Sequence, residues 1–204
     1  MTLVKICGIT NVGDARIAAD AGADAVGFIF AESPRRVSIE EARRISAALP
    51  ENILRVGVFV DEDPAEISRI SREVGLDVAQ LHGDETPEAV TAVRQGGVKV
   101  MKALRVRDAF TLEALDGYEA DLVLLDAYSD EMRGGTGRRF DWEAAKSLGG
   151  RDNIVVSGGL GPENVREAVE FFEPYGVDAS SSLEDAPGRK NGERVRRFVL
   201  AARN

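Results

Sequence analysis

The chain has 204 residues, 44% of them hydrophobic and 30% charged, a composition that argues for an ordinary globular protein and against disorder. One cysteine and one histidine exclude an intrachain disulfide, a CxxC pair, a Cys/His zinc cluster and an HExxH helix, so thiol or imidazole chemistry falls to Cys7 or His82 alone. With 35 Asp and Glu against 26 Lys and Arg, the formal charge of −9 speaks against a general nucleic-acid surface, but a small anion held by backbone N–H groups and one or two Arg remains allowed.

Eight short apolar runs recur in chain order: 4–7, 25–30, 54–60, 78–81, 98–104, 122–126, 154–157 and 177–180. Their spacing of about 25 residues accommodates a strand, a loop and a helix, and strands joined by helices pair in parallel. Most runs are apolar on both parities, as in Leu54 to Val60, which predicts strands covered on both faces. Between them lie helical periodicities. One runs from Asn11 to Ala21 and stops at Gly22, and Ser38 to Glu41 reads as a capping box opening a helix to Leu49. Pro64, Pro87 and Pro162 each mark a first helical turn, and a last helix is expected over about 192–202. The predicted fold is α/β, a single-domain (β/α)8 TIM barrel over residues 1–204, with a doubly wound open sheet as the alternative. No run approaches the ~20 apolar residues of a membrane span, and the opening residues lack the regions of a signal peptide. A free cysteine then suits a cytoplasmic protein with no membrane partner.

Barrels of this kind carry their reactive groups at the C-terminal strand ends. Here those ends offer Cys7, Arg35 and Arg36, His82, Asp126, Ser157-Gly158-Gly159 and Ser180-Ser181-Ser182. An isolated Cys is ordinarily a small buried hydrophobe, but Gly8 beside it predicts a poorly covered sulfur. Lys5, on the same strand face, would favour the thiolate or pair with Asp178 on the last strand. Asp126 directly follows four apolar residues, a costly place for a carboxylate with no task, and a partly buried carboxyl there could deliver a proton. The loop after it carries Gly134-Gly135-Thr136-Gly137, which suits a lid and is weak as a nucleotide fingerprint. Loops after strands seven and eight that are rich in Gly and Ser predict a phosphate site rather than two plain turns. Arg35 and Arg36 are either a solvated turn or a carboxylate clamp. His82 is a base, a substrate contact or a structural histidine. Together they predict a pocket locally positive on a negative molecule.

The blocks Lys5-Ile6-Cys7-Gly8-Ile9-Thr10, Ser33-Pro34-Arg35-Arg36-Val37, Gln80-Leu81-His82-Gly83, Gly134 to Gly137 with Phe140-Asp141-Trp142, and Ser157-Gly158-Gly159-Leu160 resemble the phosphoribosylanthranilate isomerase family, in order along nearly the whole chain. The resemblance implies an Amadori rearrangement of N-(5-phosphoribosyl)anthranilate in tryptophan biosynthesis. It implies Asp126 as general acid, Cys7 as general base and Arg35 as the clamp for the anthranilate carboxylate. Gly159, Ser180 and Ser181 look like phosphate-loop residues, and His82, Gly137, Gly158 and Asp178 complete the substrate-binding set. No metal or organic cofactor is implied; the partner is a phosphorylated small molecule, and the protein is expected as a monomer or homodimer. Two departures stand out: Ser182 replaces a family glycine and would be strained at positive φ, and Gly188-Arg189-Lys190-Asn191 lacks one acid. The other readings are a related phosphate-barrel aminoaldose isomerase and a non-catalytic phosphate-binding barrel.

Overall fold

Eight parallel strands pair in sequence order and the eighth returns to the first, so the sheet closes on itself. The computed structural model describes residues 1–106, 117–127, 142 and 150–204. The barrel strands are β1 (Leu3–Cys7), β2 (Ala25–Ile29), β3 (Leu54–Phe59), β4 (Val78–Leu81), β5 (Lys99–Val106), β6 (Leu122–Ala127), β7 (Ile154–Val156) and β8 (Gly176–Ala179). Each predicted run falls on one of them, with ends moved by no more than one or two residues. The open-sheet alternative is thereby set aside. Helices α1 (Val12–Asp20), α2 (Ile39–Ala47), α3 (Pro64–Val74), α4 (Pro87–Gln95), α5 (Val165–Phe172) and α6 (Gly192–Arg203) pack outside, and a short hairpin of β9 (Glu184–Ala186) and β10 (Arg189–Lys190) follows β8.

The double apolar parity of the strands has a direct cause. One set of alternate residues, including Ala25, Val56, Val78, Met101, Leu124 and Val155, fills the barrel interior; the other, including Val4, Ile6, Val26, Phe28 and Val156, packs against the helices. Side chains two residues apart share a face. Lys5 and Cys7, Leu124 and Asp126, and Asp178 and Ser180 therefore climb the same inner wall toward the C-terminal mouth.

Local signals set most helix starts. Asn11 accepts from the Asp14 N–H, and Ser38 and Glu41 form a reciprocal capping box. Pro64 and Pro87 occupy the first turns of α3 and α4 behind Asp63 and Thr86 caps. Pro162 does not start a helix. Asn164 instead ties the turn, accepting from Gly161 N–H at 2.8 Å and donating to the Gly159 carbonyl at 2.9 Å, so α5 begins only at Val165.

Between β4 and α4 one buried ion pair fixes the loop that carries His82. Lys102, on the outer face of β5, donates to Glu85 at 2.7 Å and to the carbonyls of Gly83 at 2.9 Å and Leu81 at 3.3 Å. Glu85 also accepts from the Gly83 and Asp61 N–H groups. Removing one partner of such a pair leaves a buried charge uncompensated. Lys102→Met is expected to lower the unfolding free energy by about 3–5 kcal/mol in urea titrations, and a loss below about 1 kcal/mol would show the pair to be idle.

Candidate active site

A cleft of about 680 Å³ opens at the C-terminal mouth of the barrel. Cys7, Arg35, His82, Asp126, Gly158, Gly159, Asp178, Ser180 and Ser181 all line it. Of the predicted site residues only Gly137, in the loop after β6, lies outside the described residues.

Cys7 ends β1 with 7% of its surface exposed, so the expectation of a poorly covered sulfur is not met. It is covered because β2 comes close. A Cβ on Gly27, its register partner, would stand 2.7 Å from the Cys7 sulfur. Gly27 thus makes room for the thiol. Below it, Lys5 is fully buried and forms an ion pair with Asp178 at 2.9 Å, because β1 and β8 set these residues opposite each other. Burial works against the Lys5 ammonium, yet the Asp178 carboxylate and Cys7 outweigh it and hold its pKa above the ordinary value. For Cys7 the order is reversed: burial pushes the thiol up, the Asp178 carboxylate adds to this, and the attraction of Lys5 and Lys190 recovers only part of the shift. Lys5 therefore pulls toward the thiolate, as expected, without winning.

Across the mouth, β4 and β6 bring His82 and Asp126 together. His82 Nε2 lies 3.0 Å from Asp126 Oδ2, and His82 Nδ1 lies 2.8 Å from Gln80 Nε2. Both partners of the imidazole are buried, with Gln80 1% and Asp126 5% exposed. The ring is therefore placed by two side chains rather than by solvent. Asp178 uses its second oxygen toward Ser157 Oγ, at 3.5 Å.

Arg35 is neither a solvated turn nor an isolated fork. Its Nε and Nη2 grip Glu184 in three contacts of 2.8–3.0 Å, and Lys190 Nζ reaches the same carboxylate at 2.7 Å and the Ser180 carbonyl at 3.2 Å. Burial opposes ionisation of Glu184, but the bonds from Arg35 and Lys190 prevail and hold its carboxyl below the usual range. Gly8 is what lets Arg35 and Ser180 meet here. It adopts φ +75°, and a Cβ on it would stand 2.8 Å from Arg35 Cδ and 2.9 Å from Ser180 Oγ.

Because β7 and β8 are neighbours, the loops holding Gly158-Gly159 and Ser180-Ser181 face the cleft side by side. Ser180 Oγ is buried without a hydrogen-bond partner. Ser182 is not strained, against expectation: it lies in a 3-10 turn (Ser181–Leu183), is absent from the positive-φ residues, and its hydroxyl donates to the Leu160 carbonyl. The missing glycine is thus replaced by a link between the two loops.

The expectation of a locally positive pocket needs correction. Among the described lining residues, Arg35 and Arg36 face five carboxyl groups, those of Glu32, Asp61, Glu62, Asp126 and Asp178. Arg35 is moreover already paired. What the lining offers an anion is directional, namely loop N–H groups and the guanidinium N–H groups that Glu184 does not use.

The sequence reading singled out no role for Gln80, Glu184 or Lys190. Gln80 could have been found from its parity with His82. Glu184 and Lys190 gave no local signal, because the first lies 149 residues from Arg35 and meets it only through barrel closure.

Residues 4–201 match the family model of N-(5'-phosphoribosyl)anthranilate (PRA) isomerase. A relative from Rubrobacter xylanophilus, named N-(5'-phosphoribosyl)anthranilate isomerase, is 65% identical with all of both chains covered. The crystal structure of the phosphoribosyl anthranilate isomerase from Thermotoga maritima superposes with a TM-score of 0.91 at 42% identity, covering 100% of this chain and 99% of that one. A further phosphoribosyl anthranilate isomerase structure, with TM-score 0.87, 41% identity and the same coverage, is a complex with reduced 1-(o-carboxyphenylamino)-1-deoxyribulose 5-phosphate. Whole-chain agreement in both sequence and barrel geometry leaves one conclusion: the chain belongs to the N-(5'-phosphoribosyl)anthranilate isomerase family.

Proposed function

We propose that this cleft isomerises N-(5'-phosphoribosyl)anthranilate to 1-(2-carboxyphenylamino)-1-deoxyribulose 5-phosphate with Asp126 as general acid and Cys7 as general base. The observation that carries the assignment is the convergence of a buried thiol and a buried carboxyl on one mouth, beside two adjacent Gly/Ser loops. In the first step Asp126 gives its proton to the furanose ring oxygen, the bond from that oxygen to C1 breaks, and the nitrogen lone pair forms a Schiff base. In the second, the Cys7 thiolate removes the C2 proton, and the C–H electrons flow through C1 to the nitrogen to give the enolamine, which tautomerises to the ketose. Two proton transfers suffice, so the chemistry calls for no cofactor.

The remaining groups divide the substrate between them. Gly158, Gly159, Ser180 and Ser181 take the phosphate through their N–H groups, and the Ser180 hydroxyl supplies a donor that has no partner within the protein. Arg35, oriented by Glu184, presents its remaining N–H groups to the anthranilate carboxylate. Gly137 joins this substrate-binding set from the loop after β6. Asp178 keeps Lys5 charged below the thiol and faces the substrate side of the cleft. The site as described draws its lining from one chain, which suits a monomer or a homodimer. No helix among the described residues is long and apolar enough to cross a membrane, and we place the enzyme in the cytoplasm, where a buried free thiol stays reduced.

Cys7→Ala and Asp126→Asn are each expected to lower kcat at least about 10²-fold, with the circular-dichroism spectrum and thermal transition retained. The assay is loss of anthranilate-type fluorescence from freshly made substrate. Turnover near the wild-type rate in either variant would remove that residue from the mechanism.

The ionisation of Cys7 can be followed separately, since it is the only thiol. A thiol whose pKa is raised stays protonated longer as pH rises. The rate of iodoacetamide alkylation should therefore climb about tenfold per pH unit from 7 to 9 without levelling off, and Lys5→Met should displace the curve further to alkaline pH. A plateau below pH 9 in the native protein would contradict this order of effects.

A further inference from the structure

Gln80 stands two residues before His82 on the same inner face of β4 and is almost completely buried. Its amide nitrogen meets His82 Nδ1 at 2.8 Å, while the other ring nitrogen meets Asp126 Oδ2 at 3.0 Å. An amide N–H can only donate, so Nδ1 must accept and the ring proton must sit on Nε2. The main chain around the ring is already fixed: His82 N–H donates to the Phe59 carbonyl, and Lys102 binds the carbonyls on either side, of Leu81 and Gly83. What remains to be chosen is the position of the proton on the ring. Gln80 is the side chain placed to choose it.

We propose that Gln80 is a positioning residue that holds His82 in the Nε2–H tautomer, so that His82 donates to Asp126 Oδ2 and the proton transferred to substrate is carried on Oδ1. This deepens the assignment of Asp126 as the acid and rests on it. The opposite amide orientation would present Oε1 to the ring, require a proton on Nδ1, and leave an Nε2 lone pair facing the Asp126 carboxyl. In the observed orientation Oε1 is buried without a partner. The polar end that is satisfied is the one that sets the tautomer.

The single histidine makes the test direct, because ring-15N labelling reports one imidazole. In the native enzyme at about pH 8, where an ordinary imidazole is neutral, long-range 1H–15N correlation should show Nε2 protonated and Nδ1 unprotonated. A protonated Nδ1 would overturn the proposal without any variant being made. Gln80→Glu puts an acceptor where the donor was, so Nδ1 should become protonated; kcat should fall at least about 10-fold while KM stays within about 3-fold. Gln80→Met, with neither donor nor acceptor, should show a mixture of tautomers. An Nδ1 that stays unprotonated in Gln80→Glu would refute Gln80 as the determinant. A reversed tautomer with unchanged kcat would refute Asp126 as the acid while leaving the hydrogen-bond assignment standing.

Discussion

Closure of the sheet by β1 against β8 sets Lys5 opposite Asp178 in the barrel interior, and the chemistry above them depends on that pairing. Neither group could be held there alone, since an unpaired buried charge costs several kcal/mol, on the order of the whole margin of a folded domain. A buried ion pair adds little net stability over apolar residues of the same volume. Its place here is better explained by what it does to Cys7, two residues above Lys5. It keeps an ammonium beneath the sulfur, and the neighbouring carboxylate ensures that the ammonium survives burial.

The same closure grades polarity along the barrel axis. At the bottom, Leu3, Leu54, Val78, Leu122 and Val155 fill the interior with apolar surface. Two residues higher on their strands stand Lys5, Gln80 and Ser157, and higher still Cys7 and His82. Side chains in this region are tied to one another: Lys5 to Asp178, Gln80 to His82 and His82 to Asp126, Arg35 to Glu184 and Lys190. Networks of this kind hold side chains in one arrangement, which is what proton transfer at fixed distances requires. Pairing with Lys5 also offsets the charge of one lining carboxylate, Asp178, before an anionic substrate meets it. The lining does not rely on an excess of cations; it offers N–H groups whose directions the fold fixes.

Much of this was legible in the sequence for one physical reason: a closed parallel barrel converts spacing into position. Runs apolar on both parities marked the eight strands, and the residue ending each run marked the mouth, so Cys7, His82, Asp126 and the two Gly/Ser loops came out together. Prolines at 64 and 87 and the Ser38–Glu41 box marked helix starts because those signals act within one turn. Pro162 misled because a local Asn164 turn competed with the helix. The Glu184–Arg35–Lys190 knot was invisible for a different reason. It joins a loop after β2 to a hairpin after β8, and only barrel closure makes them neighbours. Burial of Cys7 was misjudged likewise, since the covering strand β2 contributes a glycine, the residue with least to announce.

A thiol pushed up by burial looks ill suited to the role of base proposed for it, yet the proton inventory of the pair removes the difficulty. In the proposed mechanism the reactive form, with the proton on Asp126 and Cys7 ionised, holds the same number of protons as the form with the two reversed. Their ratio is therefore set by the site and not by pH. Lys5 and Lys190 favour the reactive arrangement from the thiol side by stabilising the thiolate. Burial of Cys7 and the nearby Asp178 carboxylate oppose it. What a high thiol pKa contributes is basicity: a thiolate that binds its proton tightly is the stronger base toward C2 of the Schiff base, and the cost is that fewer molecules hold it at any moment. Lys5, fixed by Asp178 through the β1–β8 register, sets the balance between those two quantities.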